Sequence, residues 1–238
     1  MAADKKVQSA KFTDIDDVDI IEKAKGFWEK FNLPIIYTGS AIIILLLGWV
    51  VYKNYIKDPK EEKAAEALFP AEHLFGKMAS EGFNKDSIDI VLNGANGLTG
   101  VVKIANTYSG TAAGNIADYL AGACYLHEGE FEKAVKYLKD FSTKATQLQT
   151  EADMMLGDAY SELKKNDDAL SAYEKASSVN EKDEFMTPNA LFRQGLFAET
   201  IGKTDEAIAC YQKIKDNYPK SSHAGDMDKY LAKLGVLK

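Results

Sequence analysis

Cysteine and histidine are scarce in this sequence, which argues against disulfide frameworks and metal sites. Its 238 residues include two cysteines, Cys124 and Cys210, which lie far apart in the chain and form no CxxC pair. The three histidines are isolated, and no HExxH or HxxxH spacing occurs. A structural zinc site needs four closely spaced ligands, and a disulfide framework needs several cysteines. We therefore expect no metal, and we expect both cysteines to be buried free thiols.

An excess of positive charge is also missing. The chain has 29 basic and 36 acidic residues, for a net charge of −7, and it contains no block of lysine and arginine. Proteins that wrap nucleic acid carry a basic face, so we expect neither DNA nor RNA as a partner. Glycine (17) and proline (5) are too few for a collagenous or low-complexity chain.

Motifs of catalysis and cofactor binding are not found. The sequence has no GxSxG and no P-loop. The glycine-rich stretch NGANGLTG, at residues 93–100, has neither the preceding strand nor the spacing of a phosphate-binding loop. It predicts a loop followed by the start of a helix. The sequence therefore predicts a protein that is not an enzyme and that holds no cofactor.

One long run without charge stands out among the features that are present. The 22 residues 31–52, between Lys30 and Lys53, are uncharged and nearly all apolar. A helix of this length reaches ~33 Å, about the thickness of a bilayer core, and aromatic residues flank the run on both sides. We predict one transmembrane helix over residues 34–55, in contact with the lipid bilayer. A cleaved signal peptide fits less well, because a long segment of mixed charge precedes the run and no A-x-A-like site follows it.

The tail before the span, residues 1–33, carries a second pattern. Apolar residues recur there at steps of three and four: Ile15, Val18, Ile21, Ala24, Trp28 and Phe31. This pattern predicts a short amphipathic helix, which Thr13–Asp14 would cap. The helix either lies on the membrane or docks to a partner, or it is a helical lead-in to the span. Three lysines before the span and four after it do not decide the orientation.

From about residue 60 the pattern is helical, and part of it repeats. Three blocks of similar sequence begin at Ala117, Ala152 and Ala190. Small residues recur at the same places in each block: Gly122, Gly157 and Gly195, then Ala134, Ala169 and Ala207 twelve residues later. Paired small residues allow two helices to pack closely, so each block predicts a helix–turn–helix unit that stacks on the next.

We place three such repeats over residues 113–219. Residues 60–112 predict a degenerate first helical pair, Lys60–Gly82 and Leu98–Thr107, joined by the polar loop Phe83–Gly97. Residues 220–238 predict a capping helix over Ser221–Lys233, because the end of a helical stack needs a polar cover.

The blocks resemble the tetratricopeptide repeat (TPR) family. The residues that match its pattern, besides the small ones, are Tyr125, Tyr160, Tyr173, Tyr211 and Pro219. The resemblance is imperfect at Ala198 and Leu138, where the family has aromatic residues. It implies a TPR-like α-solenoid. Together with the single N-terminal transmembrane helix predicted from the apolar run, this gives an all-α fold.

The whole arrangement resembles a narrower family, the YfgM-like ancillary subunits of the bacterial Sec translocon. The matching stretches are LLLGWVVYKNY at residues 45–55 and YSGTAAGNIADYLAGACYL at residues 108–126. The resemblance implies an inner-membrane adaptor with a cytoplasmic N-terminus and a periplasmic TPR domain. Its implied partners are Sec translocon subunits, periplasmic chaperones and nascent envelope proteins. A scaffold subunit of another cell-envelope complex, or a cytosol-facing receptor for targeting peptides, is the alternative.

The TPR resemblance also implies where partners bind. In such a stack the first helix of each repeat lines an inner groove. We predict that this protein-binding groove is formed by eight residues: Ile116, Tyr119, Leu126, Met154, Asp158, Phe192, Leu196 and Glu199. Its mostly apolar side chains suit an amphipathic helix or an unstructured apolar segment. The N-terminal pair or the C-terminal helix could instead already fill the groove.

Overall fold

The computed structural model describes residues 17–95 and 97–236, and it separates the chain into two units, Met1–Ile56 and Lys57–Lys238. Within the described residues every regular element is a helix and no strand occurs. The prediction of an all-α chain is therefore confirmed for this part of the protein.

The first unit is dominated by one long helix, α1, over Asp17–Tyr52, with a five-residue π-helix, Lys53–Lys57, after it. Of the alternatives for the tail, the structure has the helical lead-in: α1 continues from the described end of the tail into the span through Pro34. Proline offers no N–H to the preceding turn. The Thr38 hydroxyl donates to the carbonyls of Pro34 (2.7 Å) and Ile35 (3.1 Å) in the turn that follows.

From residue 21 to residue 56 no side chain of the first unit is buried. These residues include the apolar run, none of which is buried and which is long and apolar enough to cross a membrane by length and composition. The predicted cap at Thr13–Asp14 lies outside the described residues.

The second unit begins with three helices: α2 (Asp58–Glu81), α3 (Lys85–Asn93) and α4 (Val101–Thr107). The prediction of a polar loop over Phe83–Gly97 is wrong, because α3 lies inside that range. Asn84 caps α3: its side-chain oxygen accepts a hydrogen bond from the Ser87 N–H at 2.9 Å. The apolar side of α3 is buried on the neighbouring helices, so a helical trio stands where we predicted a pair.

Three helix pairs follow, and each helix packs on the next. Their bounds are α5 (Ala112–Glu128) with α6 (Phe131–Leu138), α7 (Thr146–Glu162) with α8 (Asn166–Ser178), and α9 (Met186–Thr200) with α10 (Thr204–Asn217). The chain then forms a 3-10 turn at Ala224–Asp226 and a short helix α11 over Met227–Lys233. The C-terminal helix is thus shorter than the predicted Ser221–Lys233.

The repeated glycines lie where two helices of a pair approach most closely. A Cβ atom on Gly157 would lie 2.6 Å from Cε1 of Tyr173, and one on Gly195 would lie 2.6 Å from Cε1 of Tyr211. On Gly122 it would lie 2.5 Å from Cγ of Leu138. The predicted close packing of each pair is confirmed.

Both cysteines are buried free thiols, as predicted. Burial is the main cause that raises the pKa of Cys124 and of Cys210 to about 12. Thiols in this state are poor nucleophiles at neutral pH.

Candidate protein-binding surface

The predicted groove residues of α5 are half-buried and belong to the packing between repeats. Ile116, Tyr119 and Leu126 all pack against the core that joins the first repeat to the second. The Tyr119 ring lies 5.3 Å from the ring of Phe141, and burial, with the Glu151 carboxylate, raises its pKa to about 12. This end of the predicted groove therefore offers little free apolar surface.

Met154 does not belong to the groove. Its side chain is fully buried in a cluster with Ala176, Met186 and Ala190. Two of those residues, Met186 and Ala190, come from the first helix of the next repeat. The stacking of α9 on the second repeat therefore covers a position that the repeat pattern alone assigns to the open face.

Phe192 is covered by the C-terminal segment. Its ring stacks on His223 at 4.4 Å between centroids and meets Tyr230 edge-on at 5.3 Å. At Phe192 residues of the chain itself therefore occupy the place that we predicted for a partner. At the C-terminal end of the repeats, the alternative in which the chain's own C-terminal segment fills the groove therefore holds.

Asp158 lies at the junction of α7 and α9 and is held by two donors. The Tyr173 hydroxyl donates to Oδ1 at 2.6 Å, and Nη1 of Arg193 donates to Oδ2 at 2.6 Å. The side chains of Arg193 and Asp158 remain 38% and 32% exposed. Both charges of this ion pair are thus fixed in direction while they stay accessible to a partner.

Leu196 and Glu199 extend the same surface along α9. Arg193, Leu196 and Glu199 follow one another at steps of three residues and share one side of the helix. Leu196 is 37% exposed; the other exposed large apolar side chains described in this unit are Phe69, Phe185 and Val236. Glu199 accepts hydrogen bonds from Lys233 and from the Tyr211 hydroxyl (3.3 Å).

We call this surface the α7–α9 face and define it by Asp158, Arg193, Leu196 and Glu199. It places one exposed apolar side chain between two oriented ion pairs. Such a centre can bury a partner's apolar side chain while the charged rim orients it. Three of these four residues belong to the predicted groove.

Arg193 is the residue that the sequence reasoning missed. A signal for it existed, because it is the chain's single arginine and lies three residues before the predicted Leu196. The coverage of Phe192 by His223 and Tyr230 had no comparable signal, since it depends on how the C-terminal segment folds back.

A polar cavity lies elsewhere, beside the start of α5. It has a volume of about 670 Å³, and its charged lining residues are Asp118, Lys136 and Asp140. Burial, reinforced by Asp140 and opposed by Lys136, raises the pKa of Asp118 to about 6. The cavity is polar. At its edge the Asn115 side-chain amide donates a hydrogen bond to the Ser142 carbonyl and accepts one from the Ser142 N–H.

Residues 21–95 and 97–236 contain no group of three histidine, cysteine, aspartate or glutamate side chains that could hold a metal ion. Two of the three histidines serve as stacking partners: His127 lies 3.7 Å from the Phe83 ring, and His223 stacks on Phe192. Burial lowers the pKa of both imidazoles.

Comparison with known proteins identifies the repeats. Residues 154–222 match the tetratricopeptide repeat family model. The chain is also 32% identical, over 93 residues, to a TPR repeat-containing protein of Methanocaldococcus jannaschii. That alignment covers 39% of this chain and 29% of the relative, so the chain spans under a third of the relative's length.

The matched segment is thus similar to tetratricopeptide repeats, which suggests a part in protein–protein interaction. It runs from within α7 to beyond α10 and includes all four residues of the α7–α9 face. The first helix pair, α5 and α6, lies outside the matched residues.

Proposed function

We propose that this protein is a membrane-anchored adaptor that binds other proteins through the α7–α9 face. The observation that carries the proposal is the exposed Leu196 between two oriented ion pairs, inside a segment that matches tetratricopeptide repeats. The apolar α1, which buries none of its apolar run, supplies the anchor. Together these features describe a molecule that holds partners beside a membrane.

The site of action that we propose is the Sec translocon at the inner membrane. The support is the resemblance of residues 45–55 and 108–126 to YfgM-like subunits. On this proposal the N-terminus is cytoplasmic and the repeats lie in the periplasm. There they hold chaperones or nascent envelope proteins near the exit of the translocon.

The proposed mechanism is tethering rather than catalysis. A short tether raises the local concentration of a bound partner to about the millimolar range without any new contact. The buried thiols of Cys124 and Cys210 and the stacked imidazoles of His127 and His223 are consistent with this, since none of them is placed as a reactive group.

Site-specific photo-crosslinking in living cells tests the binding face. A photoreactive amino acid at Leu196 should capture Sec translocon subunits, periplasmic chaperones or secreted chains in transit. The matched control is Gln212, an exposed polar residue of α10, where we expect no such products. Equal products from both positions, or none from Leu196, would exclude the α7–α9 face as the binding site.

Protease accessibility in intact spheroplasts tests the orientation and separates the alternatives. We expect external protease to digest residues 57–238 while the cytoplasmic N-terminus stays protected. Protection of the repeats would instead favour a cytosol-facing receptor for targeting peptides. A scaffold subunit of another envelope complex would also be digested from outside. It would in addition co-purify with its partners at a fixed stoichiometry, whether or not secretion is active.

A further inference from the structure

The chain's two tryptophans are spaced to match a lipid bilayer. Trp28 and Trp49 both lie on α1, and they are 52% and 59% exposed. They are 21 residues apart, which corresponds to ~32 Å along a helix. The hydrocarbon core of a bilayer is about 30 Å thick, and indole rings prefer the headgroup layer on either side of it.

A lysine stands over an aromatic ring at each end of the uncharged run. Nζ of Lys53 lies 5.7 Å from the centroid of the Trp49 ring, and Nζ of Lys30 lies 5.5 Å from the centroid of the Phe31 ring. Phe27 packs on Phe31 at 4.9 Å and widens the aromatic surface on that side. Both ammonium groups are within the range of cation–π attraction.

A pair formed by a lysine and an aromatic ring resists movement of the helix in either direction along the membrane normal. The ammonium group must stay in contact with water or lipid phosphate, so it cannot follow the ring into the hydrocarbon core. The ring loses contact with apolar groups if it moves outward into bulk water. A single lysine on a long flexible stem would permit more movement, because it could reach the headgroups from several depths.

We propose that the Lys30–Phe31 and Lys53–Trp49 pairs fix the depth of α1 in a phospholipid bilayer with a core of about 30 Å. The Phe31 and Trp49 rings are 18 residues, or ~27 Å, apart along the helix, a little less than the thickness of the core. Both therefore come within about 2 Å of the core boundaries only when the helix stands close to the membrane normal. The inference rests on the proposed membrane anchor and adds to it a defined depth and a preferred bilayer thickness.

Depth-resolved fluorescence quenching of the full-length chain tests the proposal. Trp49→Phe leaves Trp28 as the single reporter, and Trp28→Phe leaves Trp49. In dioleoyl phospholipid vesicles with bromine at known chain positions, we expect both reporters to be shallow. Trp28 should lie about three residues, ~4.5 Å, further from the bilayer centre than Trp49, because the ring that matches Trp49 in depth is Phe31. In thicker dierucoyl vesicles, we expect both to be drawn toward the core by the same amount.

Removal of one lysine separates this proposal from a simple hydrophobic span. In the Trp28→Phe chain, Lys53→Ala should move Trp49 by about two residues, ~3 Å, deeper into the bilayer. Lys57→Ala, one turn further from the ring, is the matched control and should leave the depth unchanged. On the other side, Lys30→Ala should move Trp28, whereas Lys25→Ala should not.

The outcomes distinguish two failures. If the chain inserts but Trp28 lies as deep as Trp49 or deeper, the depth-fixing role is overturned and the anchor stands. The same conclusion follows if Lys53→Ala leaves Trp49 in place. If the chain stays in solution in the presence of vesicles, the membrane anchor itself is overturned, and this inference with it.

Discussion

A glycine on the first helix of each pair allows the aromatic or leucine side chain of the second helix to lie against its backbone. At Gly157 a methyl group would come within 2.9 Å of three atoms of the Tyr173 ring. The ring cannot simply turn away, because its hydroxyl is bonded to Asp158 at 2.6 Å. The Tyr173 ring therefore fills the space beside Gly157, and its hydrogen bond to Asp158 holds it there.

We expect Gly157→Ala to lower the stability of the fold by about 1–2 kcal/mol. Overpacking costs about 1–3 kcal/mol, and the higher helix propensity of alanine returns up to about 1 kcal/mol. Thermal unfolding followed by circular dichroism should show a midpoint several degrees lower. Gly76→Ala is the control, because a Cβ atom there meets nothing within 4 Å, and it should raise the midpoint. A Gly157→Ala midpoint at or above that of the parent would contradict the packing role.

The Asp118 carboxyl makes the stability of the second unit depend on pH. Its pKa is raised from 3.8 to about 6, so between these values the folded chain binds a proton that the unfolded chain has released. Stability must then fall as the pH rises from about 4 to 6, and the penalty is constant above that range. The groups that face this carboxyl across the cavity are Asp140 and Lys136.

Asp118→Asn should remove this dependence. At pH 7 we expect the variant to melt about 2–4 °C higher than the parent, equivalent to ~1 kcal/mol after allowance for the screening of a half-exposed group. Below pH 4 the two should melt together. Glu162→Gln, which neutralises an exposed carboxyl on α7, should not reproduce the effect. An Asp118→Asn gain that is the same at pH 4 and pH 7 would show that titration is not its cause.

Among the elements, α3 shows how a cap and a narrow apolar side can define a helix. Only three of its nine residues, Ile88, Val91 and Leu92, are buried. The others are mostly polar, which is why the sequence reads as a loop. Asn84 provides the signal that starts the helix, because its side-chain oxygen accepts a hydrogen bond from the Ser87 N–H.

Asn84→Ala should destabilise α3 by about 1 kcal/mol, because the N–H of Ser87 loses its partner. Hydrogen exchange is the suitable measurement, since amides of residues 85–93 should exchange about fivefold faster while those of α7 do not change. Asn84→Asp keeps a side-chain acceptor and should restore the protection. Equal exchange in Asn84→Ala and the parent would mean that burial alone holds the helix.

The elements that could be predicted from the sequence are those with a repeated local signal. The paired small residues fix three helix pairs, because the same spacing recurs and each copy needs the same close approach. The binding face could be predicted only in part. Asp158, Leu196 and Glu199 face outward as the repeat pattern requires, whereas Met154 and Phe192 are covered by α9 and by the C-terminal segment. That cover depends on contacts between elements far apart in sequence, which no local pattern encodes.

At the scale of the whole molecule, the described core lies in the second unit. Among residues 21–95 and 97–236, the buried apolar side chains begin at Ala64 and continue to Leu231. The first unit, in contrast, exposes apolar side chains along its length, from Ile21 to Ile56. The stability of the repeats and the need for a membrane should therefore be separable properties.

A chain of residues 57–238 should remain in solution without detergent and should unfold at the same temperature as the full-length protein in detergent. None of the residues 21–56 is buried, so we expect a midpoint within about 2 °C, equivalent to less than ~1 kcal/mol. The full-length chain should sediment with membranes and resist extraction by alkaline carbonate. Aggregation or unfolding of the shortened chain would show that α1 contributes to the fold. Release of the full-length chain by carbonate would show that the exposed apolar run does not cross a bilayer.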